Sequence, residues 1–552
     1  MNYGIGIDDF KNVIDDAIYV DKTNILSKIL CATSGSTFLF CRPRRFGKSL
    51  ALSMMDYFLD ENKSQYKSLF NGLAIEKDKS ITDKHQNKYS VIHLNFKDLR
   101  GDNYDSLIYG VKNKISEIYN DCSYLKDKLS GVDLKYYDSI INKTANDQDY
   151  TISLYWLCKL LGNNKKKVIV LIDEYDSPII ASRDGNFYDK AISFFKSFYG
   201  ETFKSNNYLS YGILTGVTQI AKESIFSGLN NLIVNNVFSI GEEYFGFVED
   251  DINYLINNSK LTIDKEKLCN YYGNYLFGNN LVYNPWSVLN FLNNSGIYDY
   301  YWINTSENSL IEEVIETSKQ SDNTLQIIYD IISKNSYRGY IDSGVSFKDL
   351  NQDDELISLL VASGYLTIKE KKDDDTYLIG IPNIEIRKVF NKEIAKRYMN
   401  NTNKNIAYSL SDSLRNRNIE DIEDKINLYL LNAFSSYEMN NEKAYQVLVL
   451  TMCSMVFSNH LVKAEQNVGK GRCDIIIYPN YEDRIGIVIE TKYYKSKVSN
   501  AVLNDLAIKA LEQIEEQDYI SDLKKMDANP IYTFGFAFSN KRTKIVSKEN
   551  WK

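Results

Sequence analysis

The residues with the clearest chemical potential lie in one short loop, which contains Gly47, Lys48 and Ser49. This loop follows an apolar run of strand length and precedes a segment with helical periodicity. That order is typical of a loop whose backbone N–H groups and lysine hold phosphate oxygens. We therefore predict a nucleotide site in which Lys48 neutralises phosphate charge, the Ser49 hydroxyl binds Mg²⁺, and Gly47 lets the backbone approach closely.

An acidic pair, Asp173 and Glu174, completes the predicted nucleotide site. The pair directly follows the apolar run 168–172, and ligands of open α/β sheets bind just past the carboxyl ends of such strands. We predict that Asp173 holds Mg²⁺ through its water shell and that Glu174 orients the attacking water. Taken alone, the pair is also typical of an acidic surface turn after a buried strand, but the upstream loop favours the nucleotide site.

Further polar residues near this site leave two interpretations open. Thr215 and Thr218 lie at the end of a third apolar run, where each either senses the terminal phosphate or forms a helix N-cap or turn. Arg44 and Arg45 lie within the loop and either stabilise phosphate charge or face a partner. Arg42 stands where the usual loop has its first glycine. This substitution makes nucleotide binding a firmer expectation than hydrolysis.

A second group of charged residues lies near the C-terminus, on two predicted strands. Asp474 lies near the start of strand 472–478, and Glu490 and Lys492 close strand 485–492. Side chains at positions i and i+2 share one face of a strand, and in an antiparallel hairpin Glu490 and Lys492 would face Asp474. Two carboxylates and an amine can hold Mg²⁺ and activate water for phosphodiester attack. The alternative is an amphipathic hairpin with a solvated salt bridge.

The elements that must position these residues indicate an α/β fold. Continuous apolar strands alternate with helical stretches in the N-terminal part, which predicts a parallel sheet with helices on both faces. Beyond it, mixed helix and short strand predict a helical and winged-helix-like middle, in which a helix feeds a two-strand wing. A polar stretch at 399–405 is the predicted linker. We place the domains at 1–240, 241–400 and 401–552.

Composition excludes several other classes of protein. The chain has 552 residues, more than the roughly 250–300 that one core spans, so several domains are expected. Its seven cysteines form no CxxC pair, which argues against a disulfide framework or zinc finger. No apolar run of about 18 residues and no signal sequence appear, so we predict no membrane segment and a cytoplasmic location. The net charge of −8 means that any nucleic-acid contact must come from a local patch.

Several N-terminal motifs together resemble the microbial AAA-ATPase-like proteins, a family of phosphate-loop NTPases. The resemblance runs over roughly residues 4–300 and rests on Tyr19–Thr23, Arg42–Ser49, Asp173–Asp176, Thr215–Val217 and Tyr283–Ser287. In that family arginine replaces the first glycine of the loop as a rule, which accounts for Arg42. The resemblance implies ATP and Mg²⁺ as ligands.

The C-terminal pattern resembles the PD-(D/E)XK nuclease superfamily, whose domains are α/β and restriction-endonuclease-like. The spacing of Asp474, Glu490 and Lys492 carries the resemblance, which covers about 435–540. It also implies an upstream helix acid at Glu442 and makes Glu465, on the preceding strand, a candidate assistant.

Together these features predict an ATP-binding phosphate-loop ATPase fused to an Mg²⁺-dependent nuclease that cleaves DNA under nucleotide control. DNA is the favoured nucleic acid, and assembly into a homo-oligomeric ring stays open. Two alternatives remain: an ATP-dependent signalling switch, or a nucleotide-binding interaction module. In either of them the C-terminal domain binds nucleic acid or protein without cutting.

Overall fold

The computed structural model describes most of the chain, and it divides that chain into two units. The described residues are 2–162, 167–183, 187–220, 225–226, 228–239, 244–302, 322–342, 344, 353–373, 376–390, 410, 412–433, 442–457, 460–480 and 483–550. The first unit comprises Met1–Asn304 and Tyr340–Ile368, and the second comprises Thr305–Gly339 and Lys369–Lys552. The three domains that we place from the sequence stay a prediction, and the predicted linker at 399–405 lies outside the described residues.

The secondary structure follows the apolar periodicity closely. In chain order, the helices are α1 (Phe10–Asp16), α2 (Ile25–Leu30), α3 (Lys48–Leu59), α4 (Lys79–His85), α5 (Tyr104–Asp121), α6 (Gly131–Ile141), α7 (Asp147–Thr151), α8 (Ser153–Leu161), α9 (Ser177–Ser182), α10 (Tyr188–Phe203), α11 (Glu249–Asn258), α12 (Lys265–Tyr272), α13 (Pro285–Asn293), α14 (Asp322–Lys334), α15 (Asp353–Ala362), α16 (Ile419–Ala433), α17 (Glu442–Val456), α18 (Asn500–Glu516) and α19 (Ser521–Lys525). The strands are β1 (Ser36–Cys41), β2 (Ser90–Asn95), β3 (Val168–Asp173), β4 (Leu209–Gly216), β5 (Leu232–Asn235), β6 (Tyr275–Phe277), β7 (Asn280–Val282), β8 (Tyr337–Tyr340), β9 (Thr367–Lys371), β10 (Thr376–Gly380), β11 (Leu461–Val468), β12 (Gly471–Tyr478), β13 (Gly486–Tyr494), β14 (Ile531–Ser539) and β15 (Arg542–Asn550).

The first unit contains a parallel sheet of five strands in the order β2-β3-β4-β1-β5. The central strands β3 and β4 are buried along their whole length, whereas the edge strand β2 alternates between buried and half-buried residues. Continuous burial is expected of strands that have helices on both faces. On one face, Leu52, Met55 and Phe58 of α3 share a core with Phe38 and Leu171 of the sheet. The α/β class predicted for this part of the chain is confirmed.

The second unit is built on a mixed sheet of five strands in the order β11-β12-β13-β14-β15. The pair β13–β14 is parallel, and the other pairs are antiparallel. Helix α18 packs closely on this sheet at Gly535, because a Cβ placed there would lie 2.1 Å from the carbonyl oxygen of Ala507. The predicted C-terminal α/β fold is therefore confirmed.

Three of the remaining strands form the wing. The order β8-β10-β9 makes a three-stranded sheet, and α15 directly precedes β9. The predicted wing has two strands, and β8 is a third strand that the prediction did not include. Strands β6 and β7 form a separate hairpin. Within the described residues, no helix combines the length and the apolar character needed to cross a membrane.

Candidate active sites

The predicted phosphate loop connects the carboxyl end of β1 to the first turn of α3. Gly47 caps α3 in the left-handed conformation, with φ of +86°, which a glycine adopts without the penalty that a side chain brings. Lys48 is buried, and its Nζ donates hydrogen bonds of 2.9 Å to the carbonyl oxygens of Arg42 and Pro43. Burial lowers the pKa of Lys48, and the charge of Asp173 opposes that shift. The lysine is thus held inside the curve of the loop, beside the helix N-terminus.

Arg42 points into the protein interior and braces the base of the loop. Its Nη1 donates to the carbonyl oxygens of Cys41 at 2.8 Å and of Asn235 at 3.0 Å. Its guanidinium also lies over the rings of Phe245 and Phe277, at 5.7 and 5.4 Å from the ring centroids. Burial lowers the pKa of Arg42 to about 10. The residue that replaces the first glycine therefore ties the loop to β5, and it makes these contacts away from Lys48.

The acidic end of β3 meets the loop through Ser49. The Ser49 hydroxyl donates to Oδ2 of Asp173 at 2.6 Å, and the Thr215 hydroxyl donates to Oδ1 of the same carboxylate. Asn95, at the end of the neighbouring strand β2, lies opposite Asp173 in the register and places its amide 3.4 Å from Oδ2. Hydroxyl and carboxylate oxygens are ligands that Mg²⁺ prefers, so Ser49 and Asp173 fit such an ion. Our sequence reasoning missed Asn95, although it directly ends an apolar strand.

Glu174 and Asp176, which follow Asp173, have different surroundings. Glu174 has φ of +53° and is half-buried, and burial raises its pKa while the charge of Lys48 opposes the shift. Asp176 is buried and accepts hydrogen bonds from the backbone N–H groups of Val217 and Thr218 at 2.9 and 2.8 Å. The Thr218 hydroxyl also donates to Asp176, at 3.0 Å. This geometry favours the turn interpretation of Thr218, and the Thr215 hydroxyl likewise faces a carboxylate.

The two arginines of the loop differ in their surroundings. Arg44 is exposed. Arg45 has φ of +70°, and its guanidinium lies 4.2 Å from the centroid of the Trp286 ring, which is a cation–π contact. Burial lowers the pKa of Arg45, and the charge of Glu174 opposes this shift. Trp286 is a residue of the motif 283–287, so the contact explains how that distant motif reaches the nucleotide site.

At the second predicted site, two carboxylates occupy the point where β12 and β13 separate. The paired register runs to Ile475 and Ile489, and the next residues along each strand are Asp474 and Glu490. Asp474 Oδ2 accepts from the backbone N–H of Thr491 at 2.7 Å and from its hydroxyl at 2.6 Å. In return, the backbone N–H of Asp474 lies 3.3 Å from Glu490 Oε2. Each carboxylate therefore binds the backbone of the opposite strand, which fixes the two acids side by side.

Lys492 joins these acids on the same face, as the spacing predicts. Its Nζ lies 3.2 Å from Glu490 Oε1 and 2.7 Å from Oε1 of Gln513 on α18. The Gln513 amide also donates to Glu490, at 2.6 Å. Glu490 is buried, and burial together with the charge of Asp474 raises its pKa to about 7. Gln513 was not predicted as a site residue, although it lies within the range 435–540 that the nuclease resemblance covers.

Helix α17 closes the second site from another side. Gln446 lies one turn after Glu442, and its amide is 3.3 Å from both Asp474 Oδ1 and the Thr491 hydroxyl. Burial and the charge of Asp474 raise the pKa of Glu442, which places that acid within electrostatic reach of the site. Glu465 is held by ion pairs rather than by the two acids of the site. Its carboxylate pairs with Lys443, whose Nζ lies 2.6 Å from Oε1, and with Arg472.

The donors of this second site suit a hard divalent cation. Two carboxylates lie side by side, and their mutual repulsion contributes to the raised pKa of Glu490, so a bound cation would relieve it. Across the residues that the structure describes, no group of three or more histidine, cysteine or carboxylate side chains is arranged to hold a metal. The fit therefore rests on the two acids, Asp474 and Glu490.

Comparison with known proteins gives matches at both ends of the chain. Residues 4–226 match the family described as Predicted AAA-ATPase (AAA-ATPase_like), and residues 440–548 match the PD-(D/E)XK nuclease superfamily. A protein of Azotobacter chroococcum mcd 1, described as uncharacterized and lying in the vnfD 5′ region, is 22% identical over 567 residues, covering 98% of this chain and 97% of that protein. The ORC2 protein of Aeropyrum pernix, solved as ADPNP–ADP complexes, is similar with a TM-score of 0.31 and 9% identity, over 70% of this chain and 98% of that chain.

The fold and the matched regions define the class of the protein: an ATPase-like α/β domain followed by a nuclease-superfamily domain. Specifically, this chain carries an AAA-ATPase-like domain over residues 4–226 and a PD-(D/E)XK nuclease superfamily domain over residues 440–548, so both resemblances seen in the sequence are confirmed. The roles of the individual site residues stay predictions.

Proposed function

We propose that the protein binds and hydrolyses ATP with Mg²⁺ in its first unit, and that its C-terminal domain is an Mg²⁺-dependent nuclease that cleaves DNA under nucleotide control. The observation that carries the proposal is the convergence of Asp474, Glu490 and Lys492 at the separation of β12 and β13. A chance pattern of charges on a solvated hairpin would not bury Glu490 or raise its pKa to about 7.

In the first unit, the support comes from the order of contacts around the loop. Lys48 lies on the loop carbonyls, from which its amine can turn to β- and γ-phosphate oxygens. Ser49 and Asp173 offer hard oxygen ligands 2.6 Å apart, and Glu174 follows directly as the group that would orient an attacking water. Burial raises the pKa of Glu174, and a carboxylate with a raised pKa is a better general base than an ordinary surface carboxylate.

In the C-terminal domain, each side chain has a separate part in the proposed reaction. Asp474 and Glu490 would hold Mg²⁺, which when bound supplies a Lewis acid for the phosphodiester. Lys492 would position or deprotonate the attacking water, and Gln513 holds the amine of Lys492 on that face. Gln446 and Thr491 fix the carboxylate of Asp474. Glu442 would add a further acid near Asp474.

Plasmid cleavage with Mg²⁺ or Mn²⁺, with and without ATP, tests the proposal. We expect the wild type to cleave, and Asp474→Ala to lose at least about 10²-fold of that activity, because outer-shell partners of a metal site alone cost about 10–100-fold. Lys48→Ala should remove the ATP dependence and leave the metal-dependent step. Asp505→Ala replaces an exposed acid of α18 and should cleave like the wild type.

Three measurements separate the proposal from its alternatives: the plasmid assay, the same assay with an RNA substrate, and the binding and turnover of ATP by the wild type and Glu174→Gln. If the wild type cleaves neither DNA nor RNA under any of these conditions, the nuclease assignment fails and a binding role for the C-terminal domain is favoured. If ATP binds but is not turned over, and Glu174→Gln changes nothing, the first unit is a binding module.

A further inference from the structure

One stretch from the middle of the sequence packs within the first unit, close to the phosphate loop. The first unit includes Tyr340–Ile368, whereas the sequence on both sides of this stretch belongs to the second unit. We name residues 353–368, which comprise α15, the turn after it and the start of β9, the clasp.

The clasp meets the phosphate loop at Gly364. This glycine has φ of +82°, and a Cβ placed on it would lie 2.7 Å from Pro43 Cβ and 2.9 Å from Pro43 Cγ. Both the left-handed conformation and the close approach therefore require a glycine. The Thr367 hydroxyl accepts a hydrogen bond of 3.0 Å from the backbone N–H of Leu276, which fixes the far side of the turn.

Helix α15 faces the strand that leads into the loop. Val361 and Ala362 of the clasp line a small cavity together with Cys41, the last residue of β1. Val217, just past β4, and Val237, just past β5, line the same cavity. The clasp therefore lies over the carboxyl edge of the sheet, where the nucleotide site is, and it touches the loop itself at a second point.

Pro43 connects the clasp to the phosphate-binding lysine. Its ring contacts Gly364, and its carbonyl oxygen accepts the 2.9 Å hydrogen bond from Lys48 Nζ. When Lys48 turns towards a phosphate oxygen, this carbonyl would lose its charged donor, and a hydrogen bond to a charged donor is among the strong ones. Few backbone adjustments are available at a proline, because its ring fixes φ.

We propose that the clasp positions the phosphate loop, with Gly364 as the positioning residue, and that nucleotide occupancy changes the Pro43–Gly364 contact. The proposal rests on nucleotide binding as proposed above, and it adds how that site is regulated. Strand β9 begins in the clasp at Thr367, and its residues from Lys369 onward belong to the second unit.

Two glycines provide a matched pair of variants for the first test. Gly364→Ala introduces a Cβ against Pro43, whereas Gly72→Ala introduces one at nearly the same backbone angle, φ of +81°, with nothing within 4 Å. Both variants carry the strain of a left-handed alanine, but only the first disturbs the loop. In calorimetric titrations of the full chain with a non-hydrolysable ATP analogue and Mg²⁺, we expect Gly364→Ala to weaken binding about tenfold and Gly72→Ala less than about twofold.

A second test needs no nucleotide. The N–H groups of Gly364 and Tyr365 donate to the carbonyl oxygens of Val361 at 3.1 Å and Leu360 at 2.9 Å, so their hydrogen exchange reports the stability of the turn. Lys48→Ala removes the donor on Pro43, and we expect exchange at this turn to change by at least about threefold. Lys126→Ala, at an exposed lysine, should leave exchange at the turn unchanged.

The possible results are distinguishable. Equal affinities for Gly364→Ala and Gly72→Ala, or unchanged exchange in Lys48→Ala, would overturn the role of the clasp. A wild type that binds no nucleotide would contradict the proposed function instead, and the exchange measurement would still decide on the clasp.

Discussion

In the nucleotide site the lysine is held by backbone groups, whereas in the C-terminal site it is held by side chains. Lys48 donates to two loop carbonyls, both at 2.9 Å, within a single turn of chain. Lys492 donates to Glu490, two residues earlier on the same strand, and to Gln513, on a helix farther along the chain. The first arrangement needs a loop of the right shape, and the second needs several elements packed in the right places.

The carboxylates of the two sites also differ in their surroundings. Asp173 accepts hydrogen bonds from two hydroxyls, which spread its charge over neutral donors. Asp474 also accepts from neutral donors, the N–H and hydroxyl of Thr491, but it lies beside Glu490, and the pKa of Glu490 rises to about 7. A site built on paired acids stores electrostatic repulsion, which a bound cation would relieve.

The largest effect on nucleotide binding that would sharpen this comparison is expected from Lys48→Ala. Removing the cation should weaken binding of ATP with Mg²⁺ by about 10–100-fold, since a hydrogen bond to a charged group contributes about 1.5–3 kcal/mol. Calorimetric titration measures this effect, and Lys126→Ala serves as the control with an exposed lysine. A loss smaller than about twofold would mean that backbone N–H groups alone bind the phosphates, and the comparison would break.

A second effect concerns stored repulsion at Glu490. Its pKa is raised from 4.5 to about 7, so the folded protein holds this proton more tightly than the unfolded chain. The free energy of unfolding of the second unit therefore falls as the pH rises from about 4.5 to about 7, and the contribution is flat above that range. Glu490→Gln cannot ionise, and at pH 8 in EDTA we expect it to be more stable than the wild type by on the order of 2–3 kcal/mol.

Urea unfolding at pH 5 and pH 8, monitored through hydrogen exchange in β13, measures the difference in free energy of unfolding between Glu490→Gln and the wild type. The gain in free energy of unfolding of Glu490→Gln should be much smaller at pH 5 than at pH 8. The control Glu512→Gln, at an exposed position on α18, should show no gain at either pH. A Glu490→Gln variant that is less stable at pH 8 would show that the bond with Lys492 outweighs the repulsion between the acids.

The smallest expected effect is at the edge of the nucleotide site. Trp286→Leu and Trp286→Phe both remove the indole N–H that donates to the Tyr301 carbonyl oxygen at 3.1 Å. Only Trp286→Leu also removes the ring under Arg45, so its free energy of unfolding should be lower than that of Trp286→Phe by about 0.5–1 kcal/mol, the usual size of an exposed cation–π contact. Trp286→Phe keeps a ring and should lose less. Nucleotide affinity should change less than about threefold in both variants. A larger change in nucleotide affinity would mean that the Arg45 side chain takes part in nucleotide binding.

Much of the fold could be predicted, because the buried strands of the first unit are continuous apolar runs. The third apolar run, at the end of which Thr215 lies, forms β4, and the predicted helix after the loop lies within α3. Strands β5 and β15 were not predicted. β5 has only four residues and only Asn235 is buried, so it carries little apolar pattern, and it gains its place from pairing with β1.

The candidate sites were predictable to different degrees for a related reason. Lys48 and Ser49 are neighbours in one loop, and Asp173 ends a strand, so local pattern and the edge rule for open sheets suffice. Gln446 and Gln513 carry no signal of their own, because glutamine is common on helix surfaces. Their place beside Asp474 and Glu490 follows only from how α17 and α18 pack on the sheet.

By itself, the sequence determined the phosphate loop, the acidic ends of strands, and the spacing of Asp474, Glu490 and Lys492. These features depend on contiguous residues and on the two-residue period of a strand, which short-range covalent geometry imposes. The tertiary structure alone decided where Arg42 points, which donors hold each acid, and that Gly364 rests on Pro43. Those contacts join residues far apart in the chain, and only the packing of whole elements brings them within bonding distance.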